Sequence, residues 1–73
     1  MPQTKILSEL NAMVWKIEVA TGQRVAAGDT LIVLEAMKME IPVAAPAAGK
    51  LKSLLVAIDD VVAEGQAIAV IET

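Results

Sequence analysis

An all-β fold, a flattened barrel or sandwich of two four-stranded antiparallel sheets with an internal pseudo-twofold repeat, is predicted by three features of this sequence. The chain repeats itself. Its apolar residues alternate in short runs, and glycine, proline and aspartate punctuate those runs at matching places in both halves. Alternation places successive side chains on opposite faces of a strand, so a run that alternates can bury one face of a sheet.

The repeat appears when Leu10–Glu35 is laid over Ala47–Glu72, an offset of 37 residues. Seven of the 26 positions are then identical: Val19/Val56, Ala20/Ala57, Val25/Val62, Ala26/Ala63, Gly28/Gly65, Val33/Val70 and Glu35/Glu72. Others exchange like for like, as in Val14/Leu51, Ile17/Leu54, Leu31/Ile68 and Leu34/Ile71. A chain rich in Ala and Val produces some coincidences. The shared spacing Val25-x-x-Gly28 and Val62-x-x-Gly65 is harder to obtain by chance, and two fused copies of one unit account for it.

Within each copy the elements follow in order. Ile17-Glu18-Val19 alternates, and Leu31/Val33 alternate with Ile32/Leu34. The apolar step from Val14 to Ile17, and from Leu51 to Leu54, is three rather than two, which predicts a bulge at the same place in each copy. Gly22 and its counterpart Asp59 belong in turns, where both residue types tolerate positive φ. Gly28 and Gly65 turn the chain again after short Val strands. Pro46 holds Ala45 extended and precedes a strand over Gly49–Val56. Pro42 marks an edge or a bulge, because it has no N–H for a ladder.

One local signal opposes this scheme. The stretch from Leu31 to Glu40 is rich in helix formers, and Leu31, Leu34, Lys38 and Ile41 share a helical face. Yet no acid or amide follows Asp29-Thr30 to complete a capping box. The matching Ile68–Glu72 is β-branched and strand-like. Two copies of one unit fold alike, so the expectation is a strand.

Composition removes several function classes. Without cysteine or histidine, disulfides, thiol chemistry, His or Cys metal sites and Ser–His pairs are unavailable. The net charge is −3, the six basic residues are scattered, and Trp15 is the lone aromatic residue, so no nucleic-acid footprint exists. The N-terminal stretch lacks the apolar run of a signal peptide. The longest uncharged run, Ile41–Gly49, is too short to span a bilayer. A single cytoplasmic domain over residues 1–73, monomeric and without a membrane partner, is expected.

The chemistry concentrates at the junction of the copies, Glu35-Ala36-Met37-Lys38-Met39-Glu40. If Leu31–Glu35 ends one strand and Met39–Val43 begins the next, Ala36 to Met39 must reverse the chain. That hairpin has neither glycine nor asparagine, and it exposes two methionines beside a lysine. Selection for folding alone disfavours this choice, and broken local rules gather at functional sites. The same offset places Thr73 opposite Ala36, so the chain ends occupy the symmetry mate of the hairpin, at the far end of the domain.

Glu35-Ala36-Met37-Lys38-Met39 resembles the attachment motif of biotinyl domains in the biotin/lipoyl attachment family. Gly22, Val25-x-x-Gly28, Ala45-Pro46, Gly49-Lys50, Val62 and Gly65 fit the surrounding pattern, roughly from Ile6 to Ile71. The resemblance implies the hammerhead form of the fold and a non-catalytic carrier of a biotin-dependent carboxylase. It further implies that a biotin protein ligase joins biotin covalently to Lys38. Biotin carboxylase then loads the cofactor, and a carboxyltransferase, commonly of the acyl-CoA type serving fatty acid metabolism, unloads it. Ala36, Met37 and Met39 complete the attachment motif, with the methionines as an adaptable apolar flank. Glu35 and Glu40 are expected to assist ligase or partner recognition.

The chain departs from the family pattern at Glu9-Leu10-Asn11-Ala12, where relatives often carry a proline or small residue and then a glycine. Val19-Ala20-Thr21-Gly22 leaves no room for the protruding thumb of some bacterial carriers, so the thumbless type is implied. A start at Met1 favours a free-standing carrier. Trp15 is read as a half-exposed packing residue, Glu72 as structural, and Asp59-Asp60 as a solvated turn. Two alternatives stand beside the biotinyl reading. A lipoyl carrier of a 2-oxoacid dehydrogenase complex usually has Asp before the lysine and Ala after it, where this chain has Met twice. The other is an unmodified hammerhead module serving as a structural element.

Overall fold

The computed structural model describes residues 2–73, and every regular element among them is a β-strand. They are β1 (Gln3–Leu7), β2 (Ala12–Ile17), β3 (Arg24–Val25), β4 (Thr30–Ala36), β5 (Met39–Ala44), β6 (Gly49–Leu54), β7 (Val61–Val62) and β8 (Ala67–Glu72). Two four-stranded antiparallel sheets result, ordered β1-β8-β6-β3 and β5-β4-β2-β7. Each strand of one sheet has its counterpart 37 residues away in the other, with β1 matching β5.

The repeat extends to fine detail. The register of β2 against β4 slips between Val14 and Lys16, and that of β6 against β8 slips between Leu51 and Ser53, the matching place. Both bulges answer the three-residue apolar step. The turns match as well. Ala20 N–H donates to Gln23 Oε1 at 3.1 Å, and Ala57 N–H to Asp60 Oδ2 at 2.8 Å. Ala26 N–H donates to Asp29 Oδ2 at 2.9 Å, and Ala63 N–H to Gln66 Oε1 at 3.0 Å. Such local bonds satisfy the backbone where no ladder can reach it. Gly22 and Asp59 take φ of 91° and 76°, the positive values that the turn chemistry requires.

The core lies between the sheets and is built from symmetry-related pairs. Val14 and Leu51, Val25 and Val62, Leu31 and Ile68, Ile32 and Ala69, and Leu34 and Ile71 are all buried. Fully burying a large aliphatic side chain contributes about 1.5–3 kcal/mol, which is how a chain this short closes an aromatic-free core. Ser8 is the buried polar residue, and its hydroxyl donates to the Leu10 carbonyl at 2.6 Å. No buried side-chain polar atom lacks a partner among the described residues.

Three boundaries are shorter or longer than expected. β2 stops at Ile17, so Glu18 and Val19 lie beyond it, β6 stops at Leu54 rather than Val56, and β5 runs one residue further, to Ala44. Past β2 and β6 one more bond holds to the same sheet, Glu18 N–H to the Leu31 carbonyl and Leu55 N–H to the Ile68 carbonyl, before the chain crosses over, where Gly22 N–H donates to the Leu51 carbonyl and Asp59 N–H to the Val14 carbonyl. Crossing over ends the ladder earlier than local propensity does. Pro42 lies in β5, an edge strand, where a missing N–H does no harm.

Candidate functional site

The β4–β5 ladder pairs Leu34 with Ile41, Glu35 with Glu40, and Ala36 with Met39. Met37 and Lys38 alone remain to reverse the chain. Both have positive φ, 52° and 63°, the pattern of a type I′ two-residue hairpin. Its right-handed twist matches the flanking strands, which is why so short a loop can close them. Neither residue is one that prefers the left-handed region, and each such residue costs on the order of 1–3 kcal/mol. The helical tendency of this stretch loses because β4 buries Leu31, Ile32 and Leu34 between β2 and β5.

The reversal displays its side chains. Lys38 is exposed, and among the described residues no ion pair or side-chain hydrogen bond engages it. Met37 is 90% exposed and Met39 is 59% exposed, so neither belongs to the core. Ala36 is half-buried, and Glu35 and Glu40 are exposed. Since Leu34 is buried, the alternation turns Glu35 and its partner Glu40 to the outer face of their sheet. The residues singled out in the sequence therefore gather at one protruding tip.

That tip is no pocket. An open cleft of about 710 Å³ lies along the edge strands β1 and β5, and none of residues 35–40 lines it. Among the described residues no group of three metal-ligating side chains comes together either. Glu72, the repeat mate of Glu35, instead lies 3.9 Å from Lys52 through Oε2, an ion pair on the other sheet. Trp15 is half-buried and carries the Lys16 ammonium 4.4 Å from its ring centroid, a pairing that no sequence spacing announces. Met13 and Val61 lie nearby on the same sheet, Met13 opposite both Glu35 and Val61. They share the outer face with Glu35, and their counterparts in the repeat are Lys50 and Arg24.

The strand registers also fix the two ends. β2 begins at Ala12 near the tip, since Met13 pairs with Glu35. Leu7, five residues earlier, pairs with Ala67 at the start of β8, which runs away from there to Glu72. Thr73 N–H donates to the Pro2 carbonyl at 3.0 Å, so both chain ends meet far from the hairpin.

A two-sheet β domain that projects one lysine on a tight hairpin, away from its own termini, has the form of a carrier rather than a catalyst. The comparisons agree. Residues 2–71 match the family model described as "Biotin-requiring enzyme". A biotinylated protein TB7.3 homolog from Mycobacterium leprae is 42% identical over 66 residues, which cover 90% of this chain and 93% of that protein. The biotin-dependent acyl-coenzyme A carboxylase alpha3 subunit of the same organism is 39% identical over 67 residues, covering 92% of this chain but 11% of that subunit. In the crystal structure of Kluyveromyces lactis urea carboxylase, 6% of the chain superposes on 99% of this one, with a TM-score of 0.93 and 38% identity. The chain belongs to the biotin/lipoyl attachment family, the non-catalytic carrier modules of biotin-requiring enzymes, and covalently attached biotin is its cofactor.

Proposed function

We propose that Lys38 is the biotin attachment residue and that residues 1–73 work as one carboxyl carrier domain. The observation that carries this is the exposed amine, unpaired among the described residues, in a two-residue reversal flanked by exposed methionine side chains. In the proposed loading step, the deprotonated Lys38 Nζ attacks the acyl carbon of biotinyl-adenylate held by a biotin protein ligase. An amide forms, the bond to the adenylate phosphate breaks, AMP leaves, and the amine's proton passes to the ligase or solvent. Met37 and Met39 give the ligase a pliable apolar surface to grip, and Ala36 keeps the strand end slim beside them.

Biotin held on Lys38 would supply a ureido nitrogen able to carry a carboxyl group between a biotin carboxylase and a carboxyltransferase. The domain supplies position and no bond chemistry. Tethering keeps the cofactor at an effective concentration of about millimolar near both enzymes, as flexible linkage does generally. The acyl-CoA carboxylase relative supports an acyl-CoA acceptor. Cytoplasmic residence fits a chain in which no described helix could cross a membrane.

Co-expression with a biotin protein ligase tests the reading. Intact-mass analysis is expected to show one biotinoyl addition on the wild-type chain and none on Lys38→Ala. Addition that persists in Lys38→Ala overturns it, and a lipoyl mass in place of biotin overturns the choice of cargo.

A further inference from the structure

Oxidisable sulfur is distributed unevenly over this molecule. The chain has no cysteine, so its four methionines are the side chains that a mild two-electron oxidant attacks first, and attack follows exposure. Met13 is half-buried in β2, opposite Glu35 on one neighbouring strand and Val61 on the other. Met37 is 90% exposed and Met39 is 59% exposed, and they stand directly before and after Lys38. Trp15, the other oxidisable side chain, is half-buried with the Lys16 ammonium over its ring. An oxidant in solution therefore meets the hairpin tip before the sheets.

The fold makes oxidation at the tip a local event. Neither Met37 nor Met39 belongs to the buried cluster between the sheets or to the apolar residues packed against it. A sulfoxide at either position stays hydrated, whereas one inside a core loses packing and buries a polar oxygen. The reversal is held by backbone, through the pairing of Ala36 with Met39 and the positive φ of Met37 and Lys38. No part of that depends on sulfur. The surface chemistry does change, because a flexible apolar thioether becomes a polar, chiral group on each side of the amine.

We propose that Met37 and Met39 form a reversible oxidation site through which hydroperoxides control loading of the carrier. This rests on the reading of Lys38 as the attachment residue with the methionines as its apolar flank. In the forward step a thioether lone pair attacks one oxygen of the hydroperoxide. The O–O bond breaks, an S–O bond forms, and the second oxygen leaves as water or an alcohol carrying the peroxide's proton. Sulfur gives up two electrons and the peroxide accepts them. In the reverse step a methionine sulfoxide reductase supplies two electrons from a thiol pair, which closes to a disulfide, and the sulfoxide oxygen leaves as water. Exposure at the tip gives such a reductase access to both residues.

The test treats the 73-residue chain with hydrogen peroxide, removes the peroxide and offers the chain to a biotin protein ligase. Peptide mass mapping is expected to find sulfoxide at Met37 and Met39 several-fold earlier than at Met13. Steady-state kcat/KM for biotin incorporation should then fall about fivefold or more, chiefly through KM, as loss of an apolar anchor does. Tm should stay within about 2 °C of the untreated chain, since no core contact is lost. Reductases for the two sulfoxide epimers should restore loading. Met37→Leu combined with Met39→Leu retains Met1 and Met13, and compared with itself before and after peroxide it should not respond. Met13→Leu should respond as wild type does. The site is overturned if Met13 oxidises as fast as the tip, if a sulfoxide-bearing tip loads at the untreated rate, or if the double variant responds as wild type does. Failure of the underlying reading looks different: before any peroxide is added, biotin would still be joined to Lys38→Ala.

Discussion

Met37 and Lys38 hold backbone angles that favour asparagine or glycine, and the strain is concentrated where the amine is displayed. A residue suited to the left-handed region would relax the turn. Met37→Asn is expected to stabilise the chain by about 0.5–1 kcal/mol, which for a domain of this size raises Tm by roughly 4–8 °C per kcal/mol. The same change removes half of the apolar flank, so biotin incorporation should slow while the melt improves. A slower, more stable variant in paired melting and ligase assays would show that the turn gives up stability for recognition. The motif around Lys38 was legible in the sequence because it breaks turn chemistry. The cross-strand neighbours Met13 and Val61 were not, because register depends on the bulge and the crossover rather than on any local pattern.

At the scale of elements, β6 shows how closely the halves are fitted. A Cβ on Gly49 would lie 2.6 Å from the Glu72 carbonyl oxygen and 2.8 Å from Ile71 Cγ2. The first of these is backbone, which cannot swing aside, so β6 and β8 must separate to admit it. Gly49→Ala is expected to destabilise the chain by at least about 1–3 kcal/mol, the usual range for overpacking, measured by urea denaturation. Strand identity was readable here and across most of the chain, because period-two alternation and the duplicated turn signals agree. β4 was the hard case. Its residues prefer a helix, and it became a strand because its repeat mate β8 cannot be helical and because both its neighbours are strands. Strand ends were less legible, since they are set by where the chain crosses over, beyond Glu18 and Leu55, which still bond back to Leu31 and Ile68 of their own sheets.

The whole molecule measures 35 × 18 × 17 Å, and its long shape separates the hairpin from the joined chain ends. An attached partner or neighbouring domain at the ends would leave the tip free to turn. The core that holds this shape is shared evenly, with Leu34 and Leu51 fully buried in opposite sheets. Truncating either to alanine is expected to cost about 2–5 kcal/mol. Small domains rest on totals near the lower end of 5–15 kcal/mol, so each variant should be largely unfolded at 37 °C by circular dichroism. Of the molecule-scale features, the repeat, the two sheets and the opposed ends all followed from one offset of 37 residues. The chemical difference between the two outer faces appears only when the pairs are placed side by side.

The central claim concerns one nitrogen atom, and tandem mass spectrometry of the ligase-loaded chain addresses it most directly. Fragment ions should assign a biotinoyl group to Lys38, with Lys5, Lys16, Lys50 and Lys52 unmodified. A biotinoyl group mapped to any of those four lysines, with Lys38 bare, would contradict the account.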